Sequence, residues 1–385
     1  MNKKKIICYW SPFISNVATV KAVINSALSI NMYAEHKYES LILDVFGEWK
    51  THVNSKIYNL KFYSLNHLTK LLNFSSEGFV RSRLKYIIIF LISFISLKKF
   101  ILKKKPKFLI IHLITSLPLF LNLINKFDTK VILRISGKPQ MNILRYLFWK
   151  IALKKVYKVT FPTSESLEYF KSLKIVDNRK LVLLYDPVFI IKDLVKQKNE
   201  PIHELNLKKN EYFLSIGRLT KQKNFVFLIK CFSKLVKEHK NIKLVIIGIG
   251  EEKDKINQLI ISNNLENNIT LLGYQKNVFK FLKNCKAFIL SSLWEDPGFV
   301  LIEAMINDSL VLSSDCPNGP KEIVGNKNGI LFQSNSEKDF ILKFNQMIKL
   351  SDTEKKKFRV NAKKKIKIFS IFHHFRQLHK IISYE

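Results

Sequence analysis

Two acids stand close together in a strongly basic chain: Glu295 and Glu303, in the stretch SLWEDPGFVLIEAM (292–305). A proline-glycine break and then an apolar run separate them. AFILSS just before reads as the end of a strand, LWEDPG as a loop, and FVLIEAM as the start of a helix with Gly298 at or near its first turn. The backbone N–H groups of Gly298, Phe299, Val300 and Leu301 then point outward unpaired, and the helix dipole adds a favourable potential for a phosphate. Glu295 precedes that anion site, and Glu303 follows about 7 Å further along the helix axis. Carboxylates are poor phosphate ligands but good acceptors for sugar hydroxyls. The two acids therefore bracket a phosphate cradle, with one able to hold a sugar on each side of a diphosphate. The plainer reading is a loop acid and a helix-surface acid.

A second stretch supplies cations. SIGRLTKQKN (215–224) comes off a predicted strand and enters a helix, Gly217 letting the backbone turn closely while Arg218 and Lys223 project above the sheet edge. Arginine offers a planar fork for phosphate oxygens and lysine a mobile point charge, so together they neutralise a diphosphate without a metal. In a chain with 65 basic residues they also read as ordinary surface cations. KLVIIGIGEEKDKI (243–256) is another strand-glycine-helix turn. Its Gly248 and Gly250 lack the third glycine of a dinucleotide fingerprint, which makes it a tight turn near a ligand and not an NAD site.

The elements that position these residues are strands and helices in alternation. KKIICYW, SLILDVFG (40–47), KFLIIHLI (107–114), KVILRISG (130–137), KVTF and LVLLYDPVF (181–189) read as strands of a first half. Helices fall over 17–30, over LPLFLNLINKF, and after Thr163 or Ser164 as N-cap. Residues 192–210 are polar and weakly periodic and read as a linker. EYFLSIGRL, KLVIIGIG, ITLLGY, AFILSS and LVLSSD then restart the pattern, with helices over 223–239 and 251–264. Continuous apolar strands alternating with helices mean parallel sheets covered on both faces. The expected fold is α/β: two doubly wound, Rossmann-like domains (1–190 and 205–365) facing a cleft, with a helix over 366–385 packing back on the first.

Composition bounds the rest. Hydrophobic content of 47% in 385 residues is ample for two cores, and the net charge of +35 favours an anionic partner or reflects a general lysine bias on solvated faces. Cys8, Cys231, Cys285 and Cys316 are too far apart for a zinc site or a disulfide scaffold, and read as buried thiols in a reducing compartment. MNKKKIICYW reads as a basic leader into a first strand and not as a signal peptide. YIIIFLISFISL (86–97), flanked by Arg81, Arg83 and Lys85 and by Lys98, Lys99 and Lys103 to Lys105, falls short of the about 20 residues that span a bilayer. It is either a core helix or one lying at an anionic membrane surface.

GRLTKQKN, IIGIGEE, ITLLGY and the E-x7-E element EDPGFVLIE, followed by DCPNGPKEIV (315–324) and NGILF (328–332), resemble the glycosyltransferase group 1 family (family four). These are retaining nucleotide-sugar enzymes of GT-B fold. RISGKPQMNILRYLFWK and FPTSESLEYF look like versions found in bacterial surface-polysaccharide transferases. The resemblance implies that Arg218 and Lys223 bind the donor diphosphate and stabilise the leaving group. It likewise implies that Glu295 holds the transferred sugar, Glu303 the ribose, Gly298 to Leu301 the phosphate, and that Gly273 and Tyr274 lie near the base. It implies a UDP-, GDP- or dTDP-sugar as substrate, no cofactor and no metal. The chain departs from the family in having no glycine in SPFISNVATVK. It also offers Arg134 and Ser136 where many members have a histidine; His112 reads as a half-buried residue of the neighbouring strand.

The activity so implied is transfer of a hexose to a glycan, with a lipid-diphosphate-linked acceptor at the cytoplasmic face of the plasma membrane, in O-antigen, lipopolysaccharide or capsule synthesis. Nucleic acid is not among the expected partners. A glycosidic phosphorylase lacks its lysine-bound cofactor signature here. A basic membrane- or nucleic-acid-binding protein without catalysis is the alternative of a different class, and it does not call for paired acids at a helix N-terminus.

Overall fold

The computed structural model describes residues 4–13, 18–49, 59–65, 79–139, 141–204, 206 and 209–383. Residues 1–3 of the basic leader, residues 14–17 of the glycine-free turn, and the side chains of Arg81 and Arg83 lie outside the described set. The chain forms two compact units, Met1–Val188 with Ile371–Glu385, and Phe189–Ser370.

The first unit runs β1 (Lys5–Trp10), α1 (Ala18–Tyr33), β2 (Tyr38–Asp44), β3 (Lys61–Ser64), α2 (Phe79–Lys104), β4 (Phe108–Ile111), α3 (Ser116–Ile124), β5 (Lys130–Arg134), α4 (Ile143–Ala152), β6 (Lys158–Phe161), α5 (Ser164–Ser172) and β7 (Leu181–Leu183). Its strands form one parallel sheet in the order β3-β2-β1-β4-β5-β6-β7. The central strands are apolar at consecutive positions because helices cover both faces: Cys8, Trp10, Leu43, Ile111, Leu133 and Phe161 are all fully buried. Thr163 is the N-cap of α5, its hydroxyl accepting from the Ser166 amide.

The second unit runs α6 (Ile191–Gln197), β8 (Tyr212–Ile216), α7 (Phe225–Glu238), β9 (Lys243–Ile247), α8 (Lys253–Ser262), β10 (Ile269–Leu271), α9 (Phe279–Asn284), β11 (Ala287–Leu290), α10 (Phe299–Ile306), β12 (Val311–Ser314), α11 (Pro320–Ile323), β13 (Ile330–Phe332), α12 (Glu337–Ile348) and α13 (Asp352–Ile366). Its parallel sheet has the order β10-β9-β8-β11-β12-β13. An aromatic cluster fills one face, with the Phe213 and Phe344 rings 4.8 Å apart and Phe332 edge-on to Phe340 at 5.1 Å. In both sheets the order reverses once, between β1 and β4 and between β8 and β11. A doubly wound sheet opens a crevice at such a point, outside the carboxyl ends of the strands.

Several elements differ from the sequence expectation. The second strand stops at Asp44 because side chains cap the turn after it: Glu48 accepts from the Val45 and Phe46 amides and Asp44 from the Gly47 amide. β3 is too short and polar to signal itself. The segment read as linker from 192 begins inside a helix, α6, which buries Leu194. The rest is tied to the second unit, with Asn277 donating to the Gln197 carbonyl and Lys280 paired with Glu204 at 2.6 Å. The apolar segment at 86–97 belongs to α2, which is two-faced: Ile89, Leu97, Phe100 and Ile101 are buried, whereas Ile87, Leu91 and Ile95 are exposed. Among the described residues no helix is long and apolar enough to cross a membrane.

α14 (Ile371–Ser383) packs on α1 in the first unit. His374, 3% exposed, joins the two: Nδ1 lies 2.7 Å from the Tyr185 carbonyl and Nε2 lies 2.8 Å from the Ser26 hydroxyl. The carbonyl only accepts, so Nδ1 carries the proton and Nε2 accepts from Ser26. That leaves the Tyr9 hydroxyl to donate to Ser26 at 3.0 Å. Burial pushes His374 down to about 4, against the upward pull of the Tyr185 carbonyl and Asp186. A histidine held below its unfolded value takes up its proton more readily unfolded. Its contribution is therefore whole above pH ~6.5 and is lost as pH falls toward about 4, amounting to about 3 kcal/mol. Urea midpoints between pH 7 and pH 4 should fall steeply for the native chain and less steeply for His374→Gln. Equal slopes would dismiss this account.

Candidate functional site

The residues that the sequence marks in the second unit lie on the loops, and on helix α10, that follow the carboxyl ends of four adjacent strands, β10, β9, β8 and β11, spanning the reversal of strand order. The loops after β8 and β11 are stitched to each other. The Leu293 amide donates to the Gln222 carbonyl at 2.8 Å, Gln222 Nε2 to the Trp294 carbonyl at 2.9 Å, and the Ser291 hydroxyl to the Lys223 carbonyl at 2.9 Å. Across this seam Lys223 Nζ meets Glu295 Oε1 at 2.5 Å, with the Glu295 side chain 5% exposed and that of Lys223 15% exposed. The Ser292 hydroxyl donates to the same oxygen at 2.5 Å. Carboxylate and ammonium are thus paired in a poorly hydrated place, with two donors on one oxygen.

Local backbone makes the pairing possible. The Lys223 stem folds back over Gly217, where a Cβ would stand 3.0 Å from Lys223 Cγ, so the missing side chain is the space the lysine occupies. Gly248 has φ +152° and a Cβ there would fall 1.8 Å from the Gly217 carbonyl oxygen. The glycines of the GIG turn are therefore needed where it presses on the β8 loop. The Gly248 amide in turn donates to the Gly273 carbonyl at 2.9 Å, tying in the loop after β10. The Glu295 amide donates to the Pro317 carbonyl at 3.0 Å, and Gly319 abuts the Pro297 carbonyl, so PNGP braces the acid-bearing loop from behind.

Gly298 is the N-cap of α10 in the left-handed region (φ +98°, ψ +60°), which a side chain would resist. The amides of Gly298, Phe299 and Val300 have no hydrogen-bond partner among the described residues. The expectation of a fourth free amide fails at Leu301, whose N–H donates to the Gly298 carbonyl at 3.0 Å because the first turn is wound tightly. Glu303 sits half-buried one turn further along α10. Arg218 is exposed, and its side chain makes no hydrogen bond or ion pair among the described residues. Tyr274 is 66% exposed beside Gly273, on the loop furthest from Glu295. Contacts thus run from Gly217 to Lys223, on to Glu295 and on to Gly298, while Arg218 shares the β8 loop, Glu303 lies on α10 and Tyr274 lies after β10.

Sequence reasoning passed over two groups here. Ser292 completes the Glu295 carboxylate, and its spacing of three residues before the acid was the available signal. The Thr220 hydroxyl is buried without a partner in the loop that carries Arg218. Burial pushes the thiols of Cys231, Cys285 and Cys316 up to about 12 and that of Cys8 up as well, so none is a nucleophile. Among the described residues no three His, Cys, Asp or Glu side chains are grouped to hold a metal ion.

In the first unit, His112 follows β4 and does not belong to it. It is 7% exposed, and both its ring nitrogens lack a hydrogen-bond partner. Burial holds it well below the ordinary imidazole range, helped by the positive charge of Arg134, so it is neutral. Arg134 is itself buried and forked onto Asp186, with Nε donating to Oδ1 at 2.8 Å and a terminal nitrogen donating to Oδ2. It also donates to the Ser136 hydroxyl.

Two parallel doubly wound sheets with this strand order define the GT-B fold, and solved structures bear this out. A glycosyltransferase from Rickettsia africae superposes with a TM-score of 0.73 at 16% identity over 100% of both chains. Anabaena HepE in complex with UDP and glucose superposes with a TM-score of 0.71 at 16% identity, also over 100% of both chains. Residues 196–365 match the family described as glycosyl transferases group 1, and this part of the chain is a domain of that family. An uncharacterized glycosyltransferase of Methanocaldococcus jannaschii is 40% identical over 211 residues, 51% of this chain and 51% of its own length. A Campylobacter jejuni diphospho-undecaprenol N-acetylgalactosaminyltransferase is 26% identical over 250 residues, 63% of this chain and 66% of its own length. The chain thus spans about half to two thirds of the length of these relatives.

The Lys223–Glu295 pair carries a stability prediction. Lys223→Ala strands a buried carboxylate and should cost about 3–5 kcal/mol, measured by urea unfolding. Adding Glu295→Gln to that variant should restore more than half of the loss. Additive losses in the double variant would show that the two side chains do not act as a pair.

Proposed function

We propose that the chain is a retaining glycosyltransferase that takes its sugar from a nucleoside diphosphate. The observation that carries this reading is the Lys223–Glu295 pair at the reversal of strand order, next to three unpartnered amides at the start of α10. An arriving diphosphate offers Lys223 a second anion and offers the Gly298, Phe299 and Val300 amides their missing acceptor. Arg218 closes on the same phosphates from the exposed side of the β8 loop. Glu295, still held by Ser292, turns its free lone pairs to hydroxyls of the transferred sugar, and Glu303 to those of the ribose. Gly273 and Tyr274 flank the base.

As the anomeric carbon–oxygen bond lengthens, negative charge gathers on the departing diphosphate and positive charge on the sugar ring. Cations and amides already aimed at the phosphates stabilise the first, and the Glu295 carboxylate, near the ring, the second. This set of groups supplies the charge compensation itself, so the reaction requires no divalent ion. The acceptor hydroxyl attacks from the face the diphosphate leaves, which keeps the anomeric configuration. Its proton passes to the departing phosphate oxygen.

The acceptor is a lipid-diphosphate-linked glycan of surface-polysaccharide assembly, reached at the inner leaflet of the plasma membrane. The Campylobacter relative is named for a diphospho-undecaprenol acceptor. The exposed Ile87, Leu91 and Ile95 on α2, with Lys98, Lys99, Lys103 and Lys104 at its end, suit an anionic bilayer surface.

A panel of UDP-, GDP- and dTDP-sugars, read by thermal shift and then by nucleotide release, identifies the donor. With that donor, Arg218→Ala and Lys223→Ala should each cut turnover by roughly 10²-fold, the scale of losing one oxyanion donor. Near-native turnover in both variants would overturn the assignment.

A further inference from the structure

The first unit contains a cavity of about 690 Å³ at the carboxyl ends of β4 and β5, walled on its outer side by α2 and α4. Its polar floor is incomplete. His112, more than nine-tenths buried, lines it with two unpartnered ring nitrogens. The N-terminus of α3 also lines it through Thr115 and Ser116. Thr115 at the N-cap has helical dihedrals and makes no side-chain cap, and the Ser116 and Leu117 amides have no partner among the described residues. Arg145 stands at the rim, exposed, with its guanidinium 6.0 Å from the Trp149 ring. A neutral imidazole with an N–H to give, uncapped amides at a helix N-terminus and an arginine together call for an anion with several acceptor oxygens.

The outer wall calls for something else. Tyr86 is 47% exposed and Leu144 is 79% exposed at the cavity's edge, with Phe148 beside them. Their apolar surface continues outside the cavity, along Ile87, Leu91 and Ile95 of α2 and along Leu147 and Ile151 of α4, all more than half exposed. α3 packs between these two helices. Between Glu77 and Glu165 the sequence has a single acid, Asp128, so the face carries cations almost alone. A site with an anion-binding floor and a hydrocarbon lip fits an amphiphile whose charge and tail are joined end to end.

We propose that this cavity takes the phosphate-bearing head of a polyprenyl-type acceptor, its hydrocarbon leaving over Tyr86, Leu144 and Phe148 onto the exposed stripes of α2 and α4. The proposal rests on the reading of the acceptor as lipid-linked and adds where its phosphate sits.

The test titrates the full chain calorimetrically with farnesyl diphosphate, inorganic diphosphate and farnesol. A background of Arg218→Ala with Lys223→Ala and Glu295→Gln weakens the other diphosphate site without leaving Glu295 buried and unpaired. Farnesyl diphosphate should bind at least about tenfold more tightly than either fragment. Arg145→Ala, on an exposed helix face, should weaken both diphosphates by about tenfold. Leu144→Ser should weaken farnesyl diphosphate by a similar factor and leave inorganic diphosphate unchanged. His112→Gln should weaken both diphosphates with an unchanged far-ultraviolet spectrum. Equal binding of farnesol and farnesyl diphosphate overturns the anion floor, equal binding of the two diphosphates overturns the hydrocarbon lip, and indifference to both surface variants overturns the location. If farnesyl diphosphate does not bind while the native chain still releases nucleotide from its donor, the cavity proposal alone falls. If it binds as described and no nucleotide-sugar is turned over, the transferase reading falls and the amphiphile site stands.

Discussion

A carboxylate withdrawn from water needs a countercharge at contact distance, and Glu295 has Lys223. Most of the second unit's upper edge can be understood as what it takes to bring those two groups together. They lie 72 positions apart in sequence, on loops after strands that are neighbours only because the sheet reverses its order there. The lysine reaches the acid because Gly217 leaves room for its stem. The acid stays in place because Ser292 shares its oxygen and Pro317 takes its amide. An ion pair of this kind adds little net stability relative to an apolar filling. What it does provide is a lysine held in one place at the sheet's open edge.

Much of this was legible in the sequence, for definite reasons. Central parallel strands are apolar at consecutive positions, so KLVII, AFIL and FLII announced themselves, and glycines after strands marked the turns above them. Arg218, Lys223, Glu295 and Glu303 could be singled out because charged residues just past such strands stand at the sheet's open edge. What could not be read was pairing. Nothing in GRLTKQKN or LWEDPG says that Lys223 already has Glu295 for a partner, since that contact depends on which strands end up adjacent. The fourth amide was misjudged for a local reason, because the Leu301 N–H is taken up by the Gly298 carbonyl three residues back, a tight first turn that the sequence does not signal. Similarly, α6 hid in a polar segment because one buried leucine is enough to anchor two turns.

The first unit shows a different use of buried polarity. Arg134 and Asp186 satisfy each other, and Tyr9, Ser26, His374 and Tyr185 form a chain in which every hydrogen has a receiver. Against that background the unsatisfied ring of His112 is an exception, and an unsatisfied buried group is costly enough to ask what completes it. The sequence reads the histidine as a half-buried strand residue because LIIHLIT looks like the middle of a strand. β4 in fact ends at Ile111, which moves His112 from the sheet to its rim.

Gly248 touching the Gly217 carbonyl and Gly319 touching that of Pro297 are contacts of main chain on main chain. Distances fixed in this way depend on backbone atoms and on the bare glycine at each contact. The other side chains hung on these loops can therefore be exchanged without moving the frame that carries them, so the edge can be re-cut one residue at a time.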